Sequence, residues 1–234
     1  MEFLIAGAAA LNVYAALLVV LRAVVYRTRL YKPMLQNIWL SIAPILLLAA
    51  SLVAFLAVLP VNRVLGFVVA GVLGLAWLLM LPNASYLITE LNQSHRENDD
   101  RVPLWYDIIL VISLAMSGVV NTVLNVFIAH FVYSVVLFDD QAASFFRPDA
   151  LVALAVVLLL VGLGMYLGRY LRLNSWDVRH PGALVKKVVS HFRQRGNLLA
   201  CFGFTLTYAI FIGIMYFTIA MPIVSGLQAL ESLR

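Results

Sequence analysis

The residue types best able to do chemistry gather in one stretch, Leu81–Gln93, which reads LPNASYLITELNQ. Glu90 is its carboxylate, and no acidic residue precedes it after Glu2. On a helix, Tyr86, Glu90 and Gln93 share a face at steps of four and three, while Leu87, Ile88 and Leu91 make an apolar stripe. Asn83, directly after Pro82, suits a helix cap whose side-chain oxygen meets the free amides of the next turn. Asp107, in Pro103-Leu104-Trp105-Tyr106-Asp107, opens the following apolar run, and Arg169, Arg172, Asn174 and Asp177 close a later one. Ionisable groups near hydrocarbon are costly, so they pair or face a cavity. Two arrangements follow. Glu90 and Asp107 can pair with Arg169 and Arg172 and simply lock helices together. Alternatively, the arginines line a cytoplasm-facing pocket that holds a phosphate or carboxylate. There Glu90 or Asp107 would bind a cation or move a proton, which makes them the catalytic candidates.

The elements that must position these groups are membrane helices. With 64% hydrophobic residues, 12% charged residues and a mean hydropathy of +0.99, the chain cannot coat a soluble globule. Several runs exceed the roughly 18–20 apolar residues that cross a bilayer. The expected fold is all-α, a polytopic transmembrane bundle in one integral membrane domain over 1–234. Its six spans fall at about 3–25, 35–59, 64–81, 105–137, 150–171 and 198–223. The fourth, Trp105–Leu137, is long for one span and short for two. Charge decides it. As one tilted or kinked helix it leaves Arg27, Arg29 and Lys32 on the same side as Arg172, Arg179, Lys186, Lys187, Arg193 and Arg195, whereas splitting it would separate them. The positive-inside rule then puts both basic loops in the cytoplasm and both termini outside. The N-terminus has no basic n-region and no convincing cleavage signal, so its apolar run is expected to stay as the first span.

Smaller features fit the same frame. Over about 182–195, Leu184, Val185, Val188, Val189 and Phe192 recur at helical spacing opposite basic and polar residues, as in a cytoplasmic amphipathic helix lying in the headgroup layer. Ser113, Ser117, Asn121 and Asn125 form a polar stripe suited to interhelical hydrogen bonds or, alternatively, a conduction path. Gly164 and Gly168 form a small-xxx-small pair. The net charge of +5 reads as topology and contact with anionic lipid, with no nucleic-acid partner. A partner membrane protein or a second copy of the chain is compatible with this surface. No metal site and no cofactor are expected. The four histidines lack ligand spacing, Cys201 is single, the acidic run Glu97–Asp100 lacks an EF-hand pattern, and nucleophile-elbow and phosphate-loop motifs are absent.

LPNASYLITEL, then PLWYD, and later YLGRYLRLNSWD with Pro181 shortly after, resemble the hallmark blocks of a prokaryotic multi-pass membrane family, domain of unknown function 1361. The resemblance covers roughly Trp77–Pro181. The family pattern reads closer to L-P-N-A-P-Y-L-I-T-D-L-x-H-L, so here Ser85 stands for a proline, Glu90 for an aspartate and Gln93 for a histidine. The first carboxylate is kept, and a role needing imidazole at position 93 is not. The resemblance implies a prokaryotic plasma membrane and brings no activity. The ligand-binding candidates are therefore Asn83, Tyr86, Glu90, Gln93, Asp107, Arg169, Arg172, Asn174 and Asp177. They would serve a transporter-like or accessory protein that binds a small anion or lipid headgroup, an enzyme acting on a lipid or lipid-linked substrate, or a structural scaffold.

Overall fold

Helix starts in this chain are marked by residues that need no partner for a free amide. In the computed structural model, which describes residues 2–89, 102–138, 142–171 and 181–231, prolines stand in the first turns of several helices. In order, α1 is Glu2–Val25, α2 Lys32–Val58, α3 Arg63–Met80, α4 Pro82–Thr89 and α5 Leu104–Phe138. A 3₁₀ turn at Ala142–Phe146 leads to α6 Pro148–Leu171, α7 Pro181–Arg193 and α8 Asn197–Glu231. Asn62 caps α3, its side chain accepting from the Leu65 amide at 3.0 Å. No strand occurs among the described residues.

Among the described residues, six helical segments are long and apolar enough to cross a membrane, α3 and α4 together forming one of them, Arg63–Thr89. The protein is an all-α bundle of that kind. Its exposed surface agrees, since Trp39, Leu79 and Leu199 are each more than 65% exposed on helices whose outward faces are aliphatic. Trp105–Leu137 lies within one continuous helix, α5. Of its apolar window 61% is buried, against 17–39% for the other five spans, so α5 is the axis of the bundle. One core cluster joins α5 to α3, α6 and α8 around Phe127, Val161, Ile212 and Tyr216. A second joins α5 to α1 and α2 around Leu18, Ile38 and Leu114.

Three helix bounds differ by three residues or more from those the sequence suggests. α2 begins at Lys32 rather than Leu35, because Pro33 fits the first turn. α8 passes through Pro222 and continues to Glu231, eight residues past Ile223. The missing amide of a proline costs one hydrogen bond, but burial of Met221 and Val224 carries the helix on. The third difference matters most. The helix of the third span does not finish at Leu81. Leu81 is itself helical, donates to the Trp77 carbonyl at 2.8 Å, and accepts from the Ala84 amide at 3.0 Å. Pro82 has no N–H for the Leu78 carbonyl, so the ladder is interrupted there. Asn83 thus lies one residue inside a helix, not at a cap.

Candidate functional site

Leu81–Thr89 carries polar side chains, yet Leu81, Ala84, Ser85 and Leu87 have no exposed surface. Glycines make the room. A Cβ at Gly118 of α5 would stand 3.0 Å from the Leu87 Cβ and 3.3 Å from the Ala84 carbonyl oxygen. On α6, a methyl at Gly164 would meet the Pro82 ring and one at Gly168 would meet the Tyr86 hydroxyl. Pro82 and Tyr86 are four residues apart, as are Gly164 and Gly168, so one turn of α4 seats in two successive notches of α6. α2 closes the third side, where Ser41 Oγ donates to the Ala84 carbonyl at 2.8 Å. Thr122 gives its proton to the Gly118 carbonyl at 2.7 Å, which leaves Ser85 as donor in the 2.7 Å bond between their hydroxyls.

A polar seam continues from this clasp across the bundle. Asn121 of α5 and Asn12 of α1 exchange amide bonds, Asn12 Nδ2 to Asn121 Oδ1 at 2.8 Å and the reverse at 3.0 Å. The second proton of Asn12 goes to the Ala8 carbonyl at 2.7 Å, and that of Asn121 to Ser41 Oγ at 2.9 Å. Trp77 Nε1 donates to Asn125 Oδ1 at 3.0 Å, while Asn125 Nδ2 donates to the Asn121 carbonyl at 2.8 Å. Ser113 and Ser117 turn back onto the carbonyls of Ile109 and Leu114. The asparagine half of the stripe on α5 is therefore interhelical bonding, and the serine half bonds within α5. Both amide protons of Asn12 and Asn121 are in use, so the pair offers no free donor to a passing solute.

The Trp105-Tyr106-Asp107 block docks the start of α5 onto the end of α1. Tyr106 donates its hydroxyl proton to the Leu18 carbonyl at 2.8 Å. One turn on, Arg22 Nε pairs with Asp107 Oδ1 at 2.8 Å, both side chains about a fifth exposed. Arg22 also donates to Thr28 Oγ1 at 3.3 Å, and Thr28 donates back to the Arg22 carbonyl at 3.2 Å. These bonds hold a turn in which Arg27 takes a left-handed backbone (φ 54°), a conformation that costs a non-glycine residue roughly 1–2 kcal/mol. Among the described residues, the ion-pair partner of Asp107 is Arg22, not an arginine of α6.

Arg169 takes a different role. Its Nη1 donates to the Thr89 carbonyl at 2.9 Å, placing a half-buried cation against the backbone of α4. Just below it, Tyr166 bonds His191 of α7 at 2.9 Å and the Asn197 carbonyl at 3.2 Å. α7 is thereby tied to the ends of α6 and α8, with Val188 and Phe192 against that core and Val185 and Val189 exposed. Toward the C-terminal end of α5, His130 Nδ1 lies 2.7 Å from the Tyr216 hydroxyl. Its Nε2, and the Ser134 hydroxyl one turn on, are buried without a hydrogen-bond partner among the described residues.

Clasp, docking block and the arginine of α6 are the three sequence blocks picked out above, and residues 36–215 match the family described as protein of unknown function (DUF1361). The chain belongs to the DUF1361 family. No curated protein and no solved structure matches it. The match reaches from α2 into α8, well beyond Trp77–Pro181.

In this DUF1361 protein four of the nine candidate ligand residues are described: Asn83, Tyr86, Asp107 and Arg169. Glu90, Gln93, Arg172, Asn174 and Asp177 lie outside the described residues. Tyr86 and Arg169 come together at the α4–α6 contact, since the Tyr86 hydroxyl sits over Gly168 and Arg169 bonds Thr89. Asp107 belongs to the α1–α5 contact. Sequence reasoning overlooked Asn12, Arg22, Ser41, Trp77 and Thr122 as partners in these contacts. Asn12 carried a signal as the lone amide in the first apolar run.

Proposed function

We propose that this DUF1361 protein binds a small anionic ligand or lipid headgroup beside the α4–α6 clasp, in a transporter-like or accessory role. One observation carries the reading. Arg169 is half-buried, held by a single bond to a backbone carbonyl, and has no carboxylate partner among the described residues. A guanidinium has five donors in a planar fork, so most of them remain for a phosphate or carboxylate. Arg172, Asn174 and Asp177 follow within eight residues, and Glu90 follows Thr89 directly. Tyr86 and Asn83 supply further polar groups on α4, and Gln93 comes three residues after Glu90 in the sequence. Asp107 is engaged by Arg22, which leaves Glu90 as the carboxylate to examine for proton or cation chemistry. By loop charge, this end of the bundle faces the cytoplasm of a prokaryotic cell, with both termini outside.

The test is thermal unfolding of the detergent-solubilised protein titrated with inorganic phosphate and glycerol phosphate. A ligand that binds only the folded state at a hundred times its Kd adds about 2.7 kcal/mol, a readable rise in Tm. The rise should vanish in Arg169→Gln and persist in Arg169→Lys, with each variant folded when ligand-free. No rise in the wild type, or an equal rise in Arg169→Gln, defeats the reading.

A scaffold role is the second reading, favoured by the saturated asparagine pair and the glycine notches. It expects every anion to leave Tm unchanged.

A further inference from the structure

We propose that the groove between α1 and α2 is a site for one anionic phospholipid, its acyl chain in the groove and its phosphate on Arg27, Arg29 and Lys32. The groove has a volume of about 330 Å³, with Val13 and Ala16 of α1 on one wall and Leu35, Trp39 and Ile42 of α2 on the other. Asn12 lies at its floor, where both amide protons are already turned inward to Ala8 and Asn121. What the groove presents is therefore hydrocarbon.

Its length fits within one leaflet. Leu35 to Ile42 is seven residues, about 10 Å of helix, roughly two-thirds of the half-thickness of a 30 Å hydrocarbon core. Its mouth is cationic. Lys32, Leu35, Trp39 and Ile42 follow one another at steps of three and four, so the lysine heads the same stripe of α2 that lines the groove. Arg27, Arg29 and Lys32 are all exposed and have no ion-pair partner among the described residues. Between Glu2 and Glu90 the chain offers no carboxylate that could neutralise them. Arg22, the nearby arginine that has a partner, is spent on Asp107, and its bonds with Thr28 fix the turn that displays Arg27 and Arg29. Exposed basic residues in the turn between α1 and α2, with Lys32 one turn ahead of the apolar groove on α2, fit a diacyl lipid with a negative headgroup. A neutral lipid would use only the channel, and a free anion only the cluster.

This site shares no residue with the Arg169 proposal, so each can fail alone. The experiment is native mass spectrometry of the detergent-purified full chain titrated with phosphatidylglycerol, phosphatidylcholine or glycerol phosphate. One phosphatidylglycerol should be retained at least tenfold more tightly than phosphatidylcholine, and in Arg169→Gln, which lacks the other proposed anion site, glycerol phosphate should not be retained at the same concentration. Replacing Arg29→Gln and Lys32→Gln together should lower phosphatidylglycerol to the phosphatidylcholine level, because each basic group near an anionic lipid contributes severalfold in affinity. Ala16→Phe, which fills the groove, should weaken both lipids. Val13→Phe serves if that variant does not fold, since Val13 is 68% exposed and tolerates enlargement. Arg169→Gln should leave the lipid preference intact. Equal retention of the two lipids overturns the proposal. So does retention of glycerol phosphate alone, or unchanged phosphatidylglycerol binding in the groove-filled variant.

Discussion

Two buried polar regions share α5 and are built on opposite terms. Around Asn121 and Asn12, three amide and hydroxyl side chains on three helices satisfy one another and also the Ala84 carbonyl of α4. Around His130, nine residues further along the same helix, there is one bond, to Tyr216, and two polar atoms have none. A buried polar group stabilises only through its partners and otherwise carries its desolvation cost uncompensated. The contrast teaches where the bundle's specificity sits. The seam fixes which faces of α1, α2, α4 and α5 meet, whereas the His130 end is held by ring packing against Phe145 and Tyr216.

The largest effect should come from breaking the seam on one side. Asn121→Leu removes both exchanged bonds and strands Asn12 in an apolar interior, a loss of about 2–3 kcal/mol in reversible unfolding from mixed micelles. Combining it with Asn12→Leu should recover at least half of that loss, because no amide is then left alone. An unrecovered double variant would mean that the pair is not what holds these helices.

Next in size is the clasp. Gly168→Ala drives a methyl into the Tyr86 hydroxyl and should cost about 1–3 kcal/mol by the same measurement, partly relieved by Tyr86→Phe. Asp107→Asn should cost about 1–2 kcal/mol, since the docking of α5 on α1 loses its charge and keeps its shape. The smallest change sharpens the comparison most. Ser134→Ala removes a hydroxyl that has no partner and should leave stability unchanged or raise it by up to about 1 kcal/mol. Ser41→Ala, the same chemical change within the seam, should instead lower it.

Much of this was legible before any coordinates. Six apolar runs become six membrane-length helices, and loop charge correctly favoured one helix over two for Trp105–Leu137. The four-residue spacing of Ser113, Ser117, Asn121 and Asn125 announced a polar face, and Gly164 and Gly168 announced a close approach. What periodicity cannot supply is the other party. A lone Asn12 or Ser41 in an apolar run has no rhythm to mark it, and nothing in the glycine pair says that Pro82 and Tyr86 will occupy it. Asp107 shows the limit for charges. By proximity to the same membrane face it could pair with Arg169, Arg172 or Arg22, and only packing selects Arg22, 85 residues away. The depth of Leu81–Thr89 was hidden for a related reason. A polar stretch ending an apolar run looks like an interface, unless the glycines that enclose it on two other helices are known.

The exchange between Asn12 and Asn121 also has a history in time. The two residues are 109 positions apart, and a ribosome adding about 5–20 residues per second needs roughly 5–20 s to cover that distance. Throughout that interval the first span is already available to the bilayer while its partner has yet to be synthesised. The bond from Asn12 to Ala8, one turn back on its own helix, is the contact available from the start. It lets the amide wait with one proton satisfied, and the arrival of α5 completes the set.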